Sequence, residues 1–305
     1  MPLLRSIAMI LFAAGLALSP AALAGQPGAE PKAQVALLVP KTTVQPGETL
    51  QVGVRFTMAP EWHIYWKNPG DSGQAPSFRW SLPGGGASRM MRGSEWSATD
   101  PQFPVPVRWV DAGGLVGYGY TGAVVFPAEV TVPASATPGQ TVELGIYTQY
   151  LVCRDVCLSE TGQATVELTV GAAGLDEDDD DEAARAIEAA RQQLPQEQRG
   201  SGGSVKIAPQ EDGSILVTAT LPAGAKNPQF FPNPPEGLLV ENVSMKVEGS
   251  TLHVRLSARP YAGATVEASD FEAVIGYDTN QGRRGMTVRV PVPEQAAGAD
   301  GGETD

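Results

Sequence analysis

Short runs that alternate apolar and polar residues, cut by Gly and Pro, are the feature that most limits what this chain can become. Leu50, Val52, Val54 and Phe56 alternate with polar neighbours, and Ala164, Val166, Leu168 and Val170 do so again. A period of two puts one set of side chains on one face of a strand, as in a half-buried sheet. Ala123 to Val132 and Thr141 to Val152 read as further extended runs. Turn signals such as Gln45-Pro46-Gly47 and Thr137-Pro138-Gly139 separate them. With 35 Gly and 26 Pro in 305 residues, short strands and turns are favoured over long helices. Strands at this spacing predict a β-sandwich of immunoglobulin type between Gln34 and Val170.

The pattern recurs after an interruption. Ile215-Leu216-Val217, Leu252 to Leu256 and Met286 to Val292 predict a second small sandwich. Between the two, Glu182 to Leu194 is rich in Ala, Arg and Gln and predicts a helix that stops at Pro195. The acidic run Asp176 to Glu182 suits the positive end of its dipole. That run lacks the sixth-position Gly and the spacing of an EF-hand, so a solvated helix start is preferred to a calcium loop. Gly171 to Leu175 and Gly200 to Gly203 read as flexible links. The expected fold class is all-β, two immunoglobulin-like sandwiches joined by a short helical linker. The first sandwich spans 25–172, an acidic linker with its helix 173–203, and the second sandwich 204–292; an acidic disordered tail covers 293–305.

Residues 1–24 stand outside the fold. One charge, Arg5, precedes an apolar run from Ile7 to Leu18, and Ala22-Leu23-Ala24 supplies a small-residue cleavage site. This is the layout of a secretory signal peptide, too short for a stable span, so an exported and soluble mature chain is expected. The net charge of -13 is carried largely by the acidic run and the tail. No basic stripe is present to neutralise phosphates, which argues against nucleic acid as a partner.

Chemistry rests on few residues. The chain has two cysteines, Cys153 and Cys157. In an oxidising compartment they are expected to pair. A continuous strand would hold their Cα atoms roughly 13 Å apart, beyond disulfide reach. The backbone must turn over Arg154-Asp155-Val156, and a tight hairpin with the cysteines on facing strands satisfies the geometry. A structural staple and an exchange disulfide both fit this spacing. So short a loop braces weakly, by about 2 kcal/mol, which suits exchange better. Arg154 would favour a thiolate and Asp155 would oppose it. A sparse metal site using Cys153, Cys157, His63 and His253, with Met90 and Met91 as added soft ligands for Cu(I), is a third reading. A serine hydrolase is disfavoured by the lack of a Gly-x-Ser-x-Gly elbow. Trp62, Tyr65 and Trp66 read as core aromatics, His63 as a packed histidine, and Asn68 to Gly73 as turn chemistry.

Three motifs taken together carry a resemblance. His63-x-Tyr65-Trp66-x-Asn68-Pro69-Gly70-Asp71-Ser72-Gly73 comes first. Gly113-Gly114-Leu115-Val116-x-Tyr118-Gly119-Tyr120-x-Gly122 and Leu151-Val152-Cys153-x3-Cys157 follow. In order and interval they resemble the N-terminal periplasmic region of DsbD/ScsB-like thiol:disulfide interchange proteins. The resemblance implies a periplasmic redox domain that takes electrons from a membrane-embedded donor and reduces thioredoxin-fold proteins, with no organic cofactor and no metal. It implies that Cys157 forms the mixed disulfide and Cys153 resolves it. It also suggests a flexible cap, for which Gly113 to Tyr120 is the candidate, with Leu115, Tyr118 and Tyr120 as covering side chains. The short gap between the cysteines is closer to the ScsB-like branch. The rival reading is a non-enzymatic binding or copper-handling module with a structural disulfide.

Overall fold

The computed structural model describes residues 31–84, 95–111, 113–171, 180–197, 205–262 and 264–293. The expected signal segment, the links at Gly171–Leu175 (beyond Gly171) and Gly200–Gly203, Met90, Met91 and the tail from Glu294 lie outside these residues.

The first sandwich runs through β1 (Ala33–Leu38), β2 (Thr43–Val44), β3 (Thr49–Met58), β4 (His63–Gly70), β5 (Ser77–Ser81), β6 (Ser97–Ala98), β7 (Val107–Val110), β8 (Val116–Thr121), β9 (Ala123–Thr131), β10 (Thr141–Cys153) and β11 (Cys157–Val170). One sheet has the order β1-β3-β9-β6. The other has the order β2-β11-β10-β4-β8-β7, with β5 also paired to β10. The alternation seen in the sequence is obeyed: Leu50, Val52, Val54 and Phe56 are all buried, at 3% exposure or less. They face Leu144, Ile146, Leu168 and Val170 of the opposite sheet in a close-packed interior.

Helix α1 (Asp181–Gln192) follows. It starts one residue earlier than expected, because Asp180 is the N-cap: its Oδ1 accepts from the N–H groups of Glu182 and Ala183. Ala183, Ile187 and Ala190 form its buried stripe. Ile187 sits over Gly53, where a Cβ would come within 3.0 Å of it. The helix is thereby laid across the outer face of the first sheet.

The second sandwich comprises β12 (Gln196–Glu197), β13 (Val205–Pro209), β14 (Ile215–Thr220), β15 (Lys226–Asn233), β16 (Leu238–Glu248), β17 (Thr251–Pro260), β18 (Asp270–Thr279) and β19 (Gly282–Pro291). Its sheets are β12-β19-β18-β15 and β13-β14-β17-β16. The architecture is all-β and immunoglobulin-like, with one described helix in the linker. The two sandwiches are not beads on a string. Phe231 and Val274 of the second belong to the same buried cluster as Trp66, Tyr118 and Phe126 of the first.

Candidate functional site

The longest hairpin in the first sandwich delivers the cysteines. β10 and β11 pair without a break from Thr141↔Thr169 to Cys153↔Cys157. Arg154-Asp155-Val156 closes the turn, with the Arg154 N–H donating to the Val156 carbonyl at 3.1 Å. The two Cα atoms stand 4.1 Å apart and the sulfurs are bonded. The sulfurs are not equivalent. Cys153 is 2% exposed, whereas Cys157 is exposed at the hairpin end.

Cys153 is also paired across the sheet to His63 on β4. Residues directly opposite in an antiparallel pair share a face. His63 and Tyr65, two apart, therefore both stand on the disulfide side. The Tyr65 hydroxyl lies 3.8 Å from Cys157 Sγ, and His63 Nε2 lies 3.3 Å from that hydroxyl. Trp109 of β7 completes the group. Its ring lies 4.5 Å from the His63 ring and 6.0 Å from the Tyr65 ring, centre to centre.

Glycine makes this layer possible. A Cβ on Gly117 would sit 2.3 Å from the Trp109 ring, and one on Gly73 2.3 Å from the Tyr65 ring. Gly73 also has φ of +108°, a conformation that L side chains rarely adopt. The segment Asn68 to Gly73, read as turn chemistry, is therefore part of the site. Ser72 hydrogen-bonds to Tyr65, and Gly73 floors its ring.

Burial raises the Tyr65 pKa, and nearby Asp111 adds to the shift, so the hydroxyl stays protonated and able to donate. Burial lowers the His63 pKa, so its ring is neutral at pH 7. Because the folded value lies below the ordinary 6.5, the unfolded chain binds this proton first as pH falls. The stability contributed by neutral His63 is whole above 6.5 and is lost as pH drops from there toward the folded value. A His63→Phe protein is expected to lose less Tm than the parent between about pH 7 and about pH 5. Parallel losses in the two proteins would show that His63 does not carry that acid sensitivity.

The charges beside the cysteines offset each other. Arg154 Nε donates to Asp155 Oδ2 at 2.9 Å, and the guanidinium is drawn over the Trp62 ring at 5.4 Å. The two opposed influences expected on a thiolate are thus paired with one another. Among the described residues, no three His, Cys, Asp or Glu side chains converge as a metal site. No described helix is long and apolar enough to cross a membrane.

The expected cap needs correction. Along β8 the glycines Gly117 and Gly119 occupy the face that carries Tyr65, so Tyr118 and Tyr120 point the opposite way. Tyr120 is buried, donates to the Pro104 carbonyl at 2.7 Å and packs on Phe126. Tyr118 packs on Phe231 with ring centres 5.4 Å apart. Both are core residues and do not cover the cysteines. Leu115 is 46% exposed in the turn that Asp111 organises by accepting from the Gly113 and Leu115 N–H groups. The aromatic laid against His63 and Tyr65 on that side of the sheet is Trp109, which no motif announced. Its signal was the Gly-x-Gly spacing of β8, which leaves a bare strip of sheet beside it.

Comparison with known proteins agrees with this geometry. Residues 34–169 match the family described as thiol:disulfide interchange protein DsbD, N-terminal. Among solved structures, the N-terminal periplasmic domain of ScsB from Proteus mirabilis superposes with a TM-score of 0.56 at 17% identity. That match covers 86% of this chain and 92% of the other, and speaks for the fold. A sporulation control protein from Bacillus subtilis also matches, at 10% identity over 86% of this chain and 91% of its own, but its TM-score of 0.24 carries no argument. No curated protein matches the sequence significantly.

Proposed function

We propose that residues 34–169, which match the DsbD N-terminal family and share the fold of the ScsB N-terminal periplasmic domain, form a thiol:disulfide interchange domain, and that the chain is a periplasmic protein-disulfide reductase module working through Cys157 and Cys153. The observation that carries this reading is the asymmetry of the two sulfurs, one exposed and one buried, with a protonated Tyr65 hydroxyl 3.8 Å from the exposed one.

In the reduced protein the Cys157 thiolate attacks a sulfur of the partner's disulfide. An S–S bond forms between them, and the partner's other sulfur leaves as a thiolate that takes up a proton. Cys153, after losing its proton, attacks Cys157 Sγ. The intramolecular disulfide forms, the mixed disulfide breaks, and the partner leaves with two electrons and its second thiol. A dithiol on a membrane-embedded donor restores the starting state by the same steps in reverse. Tyr65 favours the first step by donating to the Cys157 thiolate. Exposed Val156 and Leu158 flank Cys157 and offer apolar contact to a thioredoxin-fold partner.

The discriminating measurement is the reduction potential of the Cys153–Cys157 pair. A relay disulfide is expected above about -300 mV, the region below which structural disulfides lie. A potential well below that, with no exchange against a thioredoxin-fold protein, would return the bridge to a structural role.

A further inference from the structure

The segment that leads into Trp109 is gripped by the second sandwich. Val105 is 3% exposed and seats between two glycines: a Cβ on Gly276 would stand 2.6 Å from Val105 Cγ1, and one on Gly285 2.5 Å from Cγ2. Arg283 Nε donates to the Pro106 carbonyl at 2.6 Å. Its Nη2 donates to Gln229 Oε1 at 2.5 Å, and the same oxygen accepts from the Arg108 N–H at 3.3 Å. Arg283 is itself held by Asp278 at 2.8 Å and lies 5.7 Å above the Phe231 ring. From the end of α1, the Gln193 carbonyl accepts from the Val105 N–H at 2.9 Å. These contacts from the second sandwich and α1 fall on Val105, Pro106 and Arg108, and the next residue is Trp109.

We infer that the second sandwich is a brace for the redox site, with Arg283 as a positioning residue that fixes β7 so that Trp109 holds Tyr65 and His63 against Cys157. This rests on the thiol-exchange reading above. A guanidinium with fixed, directional donors and little exposure specifies one geometry rather than a loose attraction. On this inference the second sandwich sets how well the Tyr65 hydroxyl serves the Cys157 sulfur. The titratable groups around that sulfur are Tyr65 and His63 on β4, Asp111 beyond Tyr65, and Arg154 and Asp155 in the hairpin turn, with Glu61 3.7 Å from Arg154. None of them touches Arg283, so any influence of Arg283 on Cys157 must travel through β7 and Trp109.

The test uses the full chain with Cys153→Ala, which leaves Cys157 as the single thiol. The rate of its alkylation by iodoacetamide is followed against pH, and the midpoint is read. Tyr65→Phe is expected to raise the midpoint toward that of a free cysteine, about 8.5. Arg283→Leu is expected to raise it in the same direction and to slow alkylation at neutral pH about threefold or more. In the Tyr65→Phe background, Arg283→Leu is expected to add nothing, because both act through one hydroxyl. A merely structural role would leave the midpoint in place, or would shift it equally in both backgrounds. Should Arg283→Leu fail to fold by circular dichroism, Val105→Ala, which empties the glycine notch, decides instead. An unmoved midpoint in whichever of these variants is folded overturns the brace, as does a full shift that persists without the Tyr65 hydroxyl. A structural potential for the disulfide would sink the exchange reading separately, since the alkylation midpoints do not depend on it.

Discussion

Cys153→Ala is expected to trap a thioredoxin-fold partner as a covalent mixed disulfide through Cys157, while Cys157→Ala traps almost none. The reasoning starts from access. Thiol–disulfide exchange needs the attacking sulfur to approach along the partner's S–S axis, so the sulfur of a cysteine residue only 2% exposed is a poor first nucleophile. Cys157 stands at the exposed end of the hairpin, with the Tyr65 hydroxyl beside it to favour the thiolate. Cys153 is directly across the register pair, with Cα atoms 4.1 Å apart, and needs no partner movement to attack Cys157 Sγ. Removing Cys153 therefore stops the reaction after its first half, and removing Cys157 stops it before it begins. On non-reducing gels the difference in trapped complex is expected to be on the order of tenfold or more. Equal trapping by the two variants would mean that access does not order the two sulfurs, and the division of roles would fall.

Much of this is legible in the amino-acid sequence, and the remainder is hidden for physical reasons. Period-two alternation marks β3 and β11, each with one face in the core, and extended runs mark β9 and β10. The hairpin through Arg154-Asp155-Val156 follows from chain geometry once Cys153 and Cys157 are expected to pair. β15 carries no period-two signal, since Gln229-Phe230-Phe231-Pro232 shows no alternation: Phe230 and Phe231 are both fully buried, one toward its own sandwich and one toward the other. The same cause hides the place of Tyr118. Its aromatic ring beside glycines suggested a cover, yet it packs on Phe231, a residue far along the chain that no local pattern can bring near. Trp109, Ser72 and Gly73 were hidden for the complementary reason. Each looks like ordinary strand or turn material until β4, β7 and β8 are laid side by side.

The shared core makes a second large effect expected, in stability. Phe231 is fully buried between sandwiches, its ring 6.0 Å from Trp66 and 5.4 Å from Tyr118, with Arg283 above it. Around it, Lys67 pairs with Glu272, and Asn68 Nδ2 donates to the Pro232 carbonyl at 2.6 Å. Strand β4 therefore turns one face to each side, His63 and Tyr65 toward the disulfide and Trp66 toward Phe231. With a continuous interior, separate melting of either sandwich would expose the apolar surface of both, so the parent protein is expected to unfold in one cooperative transition. Phe231→Ala removes a ring whose loss from a packed core costs about 3–5 kcal/mol, transfer and cavity together. That cost falls on the junction itself, so the single transition is expected to split into two, the lower one below the parent Tm. Calorimetry with tryptophan fluorescence reads this directly, because all five Trp residues precede the second sandwich in the chain. Two separate transitions in the parent, or a Phe231→Ala protein that still melts as one unit within a degree or two of it, would mean that the sandwiches merely touch, and the coupling of the second domain to the redox face would lose its structural basis.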